Sequence, residues 1–551
     1  MLVQNLHYII FIIILSAVSA FSAEPAAIDS INDTAARIKD HISYLASDEL
    51  EGRGTGTAGE QKAAKYISDF LGTLNLVPIG DRNTYYQNIP MHGSVPLKSS
   101  QLHLTTETNE YKFKLHDDYL LYKSGAQTFI PASMPLVFAG YGINAPEYSY
   151  NDYLTIDVKG KVAVMLEGEP QSKNPDYFMG SSPTIHSYPE AKQRTAISQG
   201  AAGSIIISLP SEDSDKRWQH LQREFSFEDI TLAYRVTGNL GILLHSSQAY
   251  KLFQGSEYSI DDIRQMVKNN SLRSFKLNSA VSFKGRFKER DFFSANIAGL
   301  LYGSDAYLKD TYLIISAHYD HLGIGAAVDN DSIYNGLSDN ALGVAAVLEL
   351  IKLFSEDKNQ PKRSILFLFT SGEEKGLLGS VYYTDHPLVP LYKTIANVNI
   401  DGLAVFDTFK DIVGVGSELS TLGEILEAVA RLKNLQVSKI PPQFLSYESF
   451  ARSDQMSFAK AGIPSILIMD GLQYHNLSPD QGLHRWLEWN NTIYHTPFDD
   501  LNQPVNFAAV NQHVKFLYDF CRQLSAMEQQ PQWKYRVPFR LNRLQTIAEK
   551  R

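Results

Sequence analysis

An α/β fold, a mixed and mostly parallel sheet covered by helices on both faces, is predicted by three features of the chain. From Ser294 onward, short apolar runs alternate with stretches of helical periodicity. The runs are apolar throughout, so both faces of each strand must be covered. Before them, from Leu97 to about Phe287, lies a different texture of short alternating runs and turns. That interval predicts a separate β-rich domain inserted into the first.

In chain order, Tyr8 to Val18 is strongly apolar and is followed by the small residues Val18-Ser19-Ala20, which predicts a signal peptide over 1–20 and an exported, periplasmic or secreted protein. The apolar run is short for a membrane span of about 20 residues, so a retained N-terminal anchor is the alternative and no stable span is expected after cleavage. The amphipathic pattern Ile28 to Leu45, with Asp29 or Ser30 as cap, predicts a helix. The loop Leu50-Glu51-Gly52-Arg53-Gly54-Thr55-Gly56-Thr57-Ala58-Gly59 contains a GxGxxG spacing. It follows a helix and not a strand, so it is no dinucleotide fingerprint. It leads into a helix over Gly59–Leu74. The N-terminal part of the main domain is set at 24–115, the inserted domain at 116–288, the rest of the main domain at 289–528, and a polar surface tail at 529–551. Within the insert, Gly160–Leu166 reads as a turn and a buried strand, Ala191–Gly200 as a helix and Ala201–Ser208 as another buried strand. In the main domain the strands are Tyr312–Ala317, Ser364–Thr370, Ile395–Ile400 and Pro464–Met469. The helices are Ser338–Ser355, Gly376–Thr384 and Phe507–Met527.

The chain has 551 residues, formal charge −10, 44% hydrophobic and 20% charged residues, which describe a globular protein with ample core. No basic stripe is present, so nucleic acid is excluded as the expected partner. The one cysteine, Cys521, cannot form an intramolecular disulfide and lies in an apolar helical pattern. An exported chain of this size without disulfides draws stability from a large core or a bound metal.

Each buried strand, or the turn after it, delivers a group that binds metals or moves protons. His318 ends the first strand. Asp339 lies in the turn before the next helix, Glu373 and Glu374 end the second strand, Asp401 follows the third, and His495 sits in a late loop. Ligands in open α/β sheets bind at the carboxyl ends of strands. Singly, Asp339 reads as a helix cap, the two glutamates as first-turn acids, Asp401-Gly402 as a turn and His495 as a loop histidine. Together at strand ends of one unit, the set His318, Asp339, Glu374, Asp401 and His495 suits two divalent ions, zinc by ligand type. Asp339 is the natural bridge. Glu373 is left over as the acid that moves the proton of an attacking water. His321, His386, His475 and His484 lack this context and are left out.

The stretches Leu45-Ala46-Ser47-Asp48-Glu49-Leu50-Glu51-Gly52-Arg53-Gly54-Thr55-Gly56, Phe138-Ala139-Gly140-Tyr141-Gly142, Ser316-Ala317-His318-Tyr319-Asp320-His321, Gly336-Leu337-Ser338-Asp339-Asn340-Ala341, Ser371-Gly372-Glu373-Glu374, Asn399-Ile400-Asp401-Gly402, Arg452-Ser453-Asp454 and Tyr494-His495-Thr496-Pro497 resemble the bacterial dizinc aminopeptidase family that carries an inserted protease-associated domain. The resemblance runs from about Ile31 to Met527. It implies two Zn(2+) per chain, with His318 and Asp401 on one ion, Glu374 and His495 on the other and Asp339 between them. It further implies Glu373 as general acid/base, Asp320 as orienter of His318, and a cis peptide at Asp339–Asn340. Tyr474 is implied as a donor to the tetrahedral intermediate, and Arg452 as a substrate or pocket residue. Gln455 stands where relatives often have His. The polar segment 475–493, with Trp486 and Trp489, is expected to form a lid or pocket wall. The implied activity is removal of N-terminal residues from peptides. A carboxypeptidase or glutaminyl cyclase on the same scaffold is the first alternative, and a non-catalytic receptor-like homologue the second.

Overall fold

The computed structural model describes residues 31–122, 128–174, 177–178, 184–236, 238–440, 450–535 and 537–548. The expected signal segment 1–20 lies outside the described residues.

The main sheet follows from the apolar runs. Its central four strands, Ser364–Thr370, Tyr312–His318, Thr394–Asn399 and Ser465–Asp470, lie side by side in that order and run parallel. Successive residues point to opposite faces of a strand. Leu313, Ile315 and Ala317 accordingly enter one core with Ile365, Phe367 and Phe369, while Ile314 enters another with Leu366 and Leu368. The first core is closed by helices Ile31–Leu45, Leu342–Glu356 and Phe507–Ala526, through residues such as Ile38, Val347 and Leu517. The second is closed by Tyr383 and Phe458, on helices Leu378–Asp385 and Gln455–Lys460. Both margins of the sheet are antiparallel. Phe287–Leu301 pairs with Ser364–Thr370 and with Tyr86–Pro96, and Asp411–Val415 pairs with Ser465–Asp470. The sheet is therefore mixed, with four adjacent parallel strands at its centre and Gln436–Ser438 running parallel to Asp411–Val415 at one edge. Cys521 is buried in this core, and burial pushes its thiol up.

A second sheet has the order Glu110–Phe113, Gln101–Thr106, Phe275–Lys284, Phe129–Phe138, Val162–Leu166, Gly203–Ile207, Leu240–Leu244 and Tyr119–Leu121. It also has a parallel centre, and it carries helices Pro189–Ser198, Ser214–Glu224 and Ile260–Lys268. The 115/116 boundary falls inside this sheet, because Gln101–Thr106 pairs along Phe275–Lys284. The chain leaves the main sheet after Pro96 and returns at Phe287, and these two residues are directly paired. One strand from inside the interval, Asp229–Leu232, crosses back and pairs with Met91–Ser94 of the main sheet.

The expected surface tail also differs. Trp533 and Phe539 are buried with Met456, and Trp533 Nε1 donates to the Gly462 carbonyl at 2.8 Å. Two large aromatic rings make burial favourable despite the polar residues around them. Among the described residues no helix is long and apolar enough to cross a membrane.

Candidate metal centre

The carboxyl ends of the parallel strands meet two loops. Asp339 arrives on the turn before helix Leu342–Glu356, and His495 just after helix Pro479–Thr492. Asp339 stands between the two histidines: Oδ1 is 3.1 Å from His318 Nε2 and Oδ2 is 3.3 Å from His495 Nε2. Asp401 Oδ1 is 3.3 Å from His318 Nε2, and Glu374 Oε2 is 3.3 Å from His495 Nε2. Donor atoms of His318, Glu373 and Glu374 lie within 4.8 Å of one another. The fold thus brings His318, Asp339, Glu373, Glu374, Asp401 and His495 into one cluster. The Asp339–Asn340 peptide is cis.

Burial pushes carboxyls up and imidazoles down; for Asp339, Glu374, His318 and His495 their mutual contacts decide otherwise. Against burial, the close approach of His318 and His495 holds Asp339 well below the usual carboxylate range. Against burial, Glu374 and Asp339 raise His495 to about 10. Glu373 is pushed well up by burial, helped by Asp401, Glu374 and Asp454 and opposed by His318. His495 Nε2 is buried and makes no hydrogen bond, although it faces two carboxylate oxygens. A cation would complete that arrangement. The nitrogen and carboxylate donors suit zinc, with His318, Asp339 and Asp401 available on one side and His495, Asp339 and Glu374 on the other.

Several groups that orient these ligands were not expected from the sequence. His321, left out as a bystander, is fully buried; its Nδ1 lies 2.6 Å from Glu374 Oε1, and it forms a possible ligand group with Asp339 and Glu374. Gly336 makes room for it: a Cβ there would approach the His321 ring to 2.5 Å, and φ is +62°. Arg53, from the glycine-rich loop, is buried and donates to four carbonyls. These are Leu45 (2.5 Å) in the first helix, Tyr319 (2.9 Å) beside His318, and Asn335 (2.6 Å) and Gly336 (2.9 Å) before Asp339. Asp499 accepts from the Ser338 and Asp339 main-chain N–H groups at 3.0 and 3.1 Å. Asn340 clamps the Asp401 turn, donating to the Ile400 carbonyl at 2.9 Å and accepting from Gly402 N–H at 3.0 Å.

Two expected roles change. His318 Nδ1 meets the main-chain carbonyl of Asp320 at 3.2 Å, whereas the Asp320 carboxylate is 3.8 Å away. That carboxylate accepts from Thr55 Oγ1 at 3.0 Å and from the Glu373 N–H at 3.1 Å, so it orients Glu373. Tyr474 is buried in the core and its hydroxyl donates to Asp470 at 2.7 Å, where the apolar shell and that acid hold it. The tyrosine that meets the cluster is Tyr494, stacked on His495 at 3.9 Å between ring centroids. Burial, then the charges of Asp339 and Glu374, push its phenol well up; Arg452 acts the other way. Arg452 is exposed near this group. The 475–493 segment contains helix Pro479–Thr492, whose Trp489 contacts Tyr494 at 5.4 Å. Gln455 accepts from Asn399 Nδ2 at 2.9 Å and so supports the strand end before Asp401.

The fold is similar to that of an aminopeptidase from Aneurinibacillus sp. strain AM-1, with a TM-score of 0.52 over 91% of this chain and 95% of that one, at 17% identity. That likeness is one of fold. A vacuolar membrane protease of Lodderomyces elongisporus is 33% identical over 109 residues, 20% of this chain. One of Phaeosphaeria nodorum is 34% identical over 86 residues, 16% of this chain. The matched stretches span 10% and 8% of those two relatives' lengths. Residues 296–521 match the family model of Peptidase family M28, and that interval holds all six residues of the cluster.

Proposed function

We propose that the chain is an exported metallopeptidase that removes N-terminal residues from peptides and works with two zinc ions. The carrying observation is Asp339, whose two oxygens face His318 and His495 from opposite ends of one carboxylate. The match of residues 296–521 to a peptidase family supports the reaction class. The apolar Tyr8–Val18 run supports export.

When bound, two divalent ions would polarise the scissile carbonyl and make a water acidic enough to attack it. His318 and Asp401 would hold one, His495 and Glu374 the other, and Asp339 both. Glu373 takes the proton of the attacking water and passes it to the leaving amine, the task of a general acid/base. Its main-chain N–H is fixed by Asp320, and its burial among acids favours the protonated form that the second half of the reaction needs. Tyr494, its phenol kept protonated, is a donor for the charge that develops on the carbonyl oxygen. The inserted region, compared by resemblance to a protease-associated domain, borders the cleft.

Paired peptides with free and acetylated N-termini test the reading. Cleavage of the free peptide one residue at a time is expected, with about two zinc ions per chain by elemental analysis. Equal cleavage of the acetylated peptide would remove the aminopeptidase assignment.

A further inference from the structure

We propose that the C-terminal helix Phe539–Ala548 presents a face that docks on an anionic lipid surface and leaves the metal centre pointing into water. This role does not depend on the peptidase reading above.

The helix is turned with its polar side inward. Phe539, Asn542, Arg543 and Thr546 follow one another at helical spacing and share one side. Phe539 is buried. Asn542 donates to the Lys460 carbonyl at 2.8 Å, Thr546 to the Ala461 carbonyl at 2.8 Å, and Arg543 to the Leu391 carbonyl at 3.1 Å. Leu541, Leu544, Ile547 and Ala548 fall on the opposite side by the same spacing. Leu541, Leu544 and Ile547 are 68%, 57% and 46% exposed. A surface helix ordinarily does the reverse and buries its apolar stripe. A single exposed leucine needs no explanation; an outward stripe of them marks a contact surface.

The carbonyls that the helix holds place this stripe. Residues 460–464 lead into strand Ser465–Asp470, and Leu391–Lys393 into strand Thr394–Asn399. Trp533 holds Gly462 in the first of these stretches. The helix therefore crosses the amino ends of the parallel strands, at the pole opposite the metal cluster. Tyr302 and Tyr307, both exposed, share that pole. The Ser304 and Asp305 main-chain N–H groups tie their turn to the Pro361 and Lys362 carbonyls at 2.9 and 3.2 Å, just before strand Ser364–Thr370. Exposed Tyr535 meets the Arg540 guanidinium 5.8 Å from its ring centre. Charge selects the occupant. The chain carries −10 overall, yet beyond Pro531 the cations Lys534, Arg536, Arg540, Arg543, Lys550 and Arg551 outnumber a single acid, Glu549. Two copies meeting through this face would set like charges together. An anionic bilayer attracts it, and takes the apolar stripe and the tyrosine rings into its headgroup boundary. Such a contact is peripheral and needs no membrane-spanning helix.

The test uses the full chain with Ala548→Cys, which leaves the three large apolar residues of the stripe in place. Cys521 is buried, so an environment-sensitive fluorophore attaches at position 548 alone. Leu154→Cys, exposed on the inserted region, is the control. Vesicles of phosphatidylcholine are added, with or without an equal part of phosphatidylglycerol. On the mixed vesicles the emission at position 548 should rise, shift to the blue, be quenched by nitroxide-bearing lipid and fade in high salt, while the label at position 154 stays constant. The lipid concentration at half-response should rise about 10-fold or more when Lys534→Glu and Arg540→Glu are combined, and by about as much when Leu541→Ser and Leu544→Ser are combined. Melting temperatures should stay at the parent value in both cases. A label at position 548 that does not respond overturns the proposal, even where the chain sediments with the vesicles, because another segment then makes the contact. An equal response to vesicles without the anionic lipid overturns it as well. So does a response without vesicles that grows with protein concentration, which would make this face a contact between two copies.

Discussion

The two sheets of this molecule share a design and differ in what stands at its end. Each has four parallel strands at its centre, and each delivers polar groups at the carboxyl ends of those strands. In the inserted region these are Glu167, Ser208 and His245. There the charges are paired locally. Glu167 is matched by Arg217 and accepts from Ser208 at 2.5 Å, and His245 lies 3.5 Å from Asp215 and 2.7 Å from Ser247. In the main sheet Asp339, Glu373, Glu374 and Asp401 converge on three histidines, and the nearest buried guanidinium, Arg53, is turned to main-chain carbonyls. Among the described residues, every group able to hold a metal lies at the main sheet. Topology makes a strand end available; charge balance decides whether it remains a cluster that a cation would complete.

The comparison is broken most completely at Asp339. Asp339→Ala should lose both activity and metal, read by elemental analysis after dialysis; two ions retained would refute its place between the sites. Glu373→Ala should lower kcat by about 10²- to 10⁴-fold with metal content kept near that of the parent chain. Survival of the activity would end its role in proton transfer. Two core truncations sharpen the contrast between the sheets. Ile315→Ala and Ile205→Ala each remove a buried strand residue and should cost about 2–5 kcal/mol of stability. In a chelator-competition titration, only Ile315→Ala, on the strand that ends in His318, should also weaken zinc binding. His321→Ala should reduce zinc affinity about 10- to 100-fold, and an unchanged affinity would return it to a packing role.

The smallest effect concerns Glu60. Burial first, then Asp320, raises its carboxyl from 4.5 to about 8, while bonds from Ser371, Gly56 and Ser294 oppose the shift. The folded chain thus holds a proton that the unfolded chain releases. The stability this confers is complete below pH 4.5 and declines as pH rises from there to about 8. The melting temperature of the parent chain should fall more steeply between pH 5 and 8 than that of Glu60→Gln. Parallel profiles would show that Glu60 does not titrate there.

The ligand types and their order were legible because each lies beside an apolar run whose period and length mark a buried strand. His318, Glu374 and Asp401 could be placed at strand ends from residue order alone. His321 could not, because its role depends on an approach of Glu374 from another strand, 53 positions away in the chain. The resemblance implied Tyr474 as a donor, yet the local fold directs its hydroxyl to Asp470. The usable signal was adjacency: Tyr494 precedes His495 and stacks on it. The boundary at 115/116 failed because Gln101–Thr106 carries the same alternating pattern as a strand of either sheet. Pattern specifies which face is buried and not which partner covers it.

Sequence by itself determined that this chain folds around buried parallel strands and that a set of histidines and acids follows their ends. Those properties are local: they depend on apolar runs, turn residues and side-chain chemistry. Only the tertiary structure decided that Arg53 and Asp499 hold the loop before Asp339, that the Asp320 carboxylate serves Glu373, and that Asp229–Leu232 ties the insert to the main sheet. Each of these joins residues far apart in the chain, and no period or spacing records such a meeting.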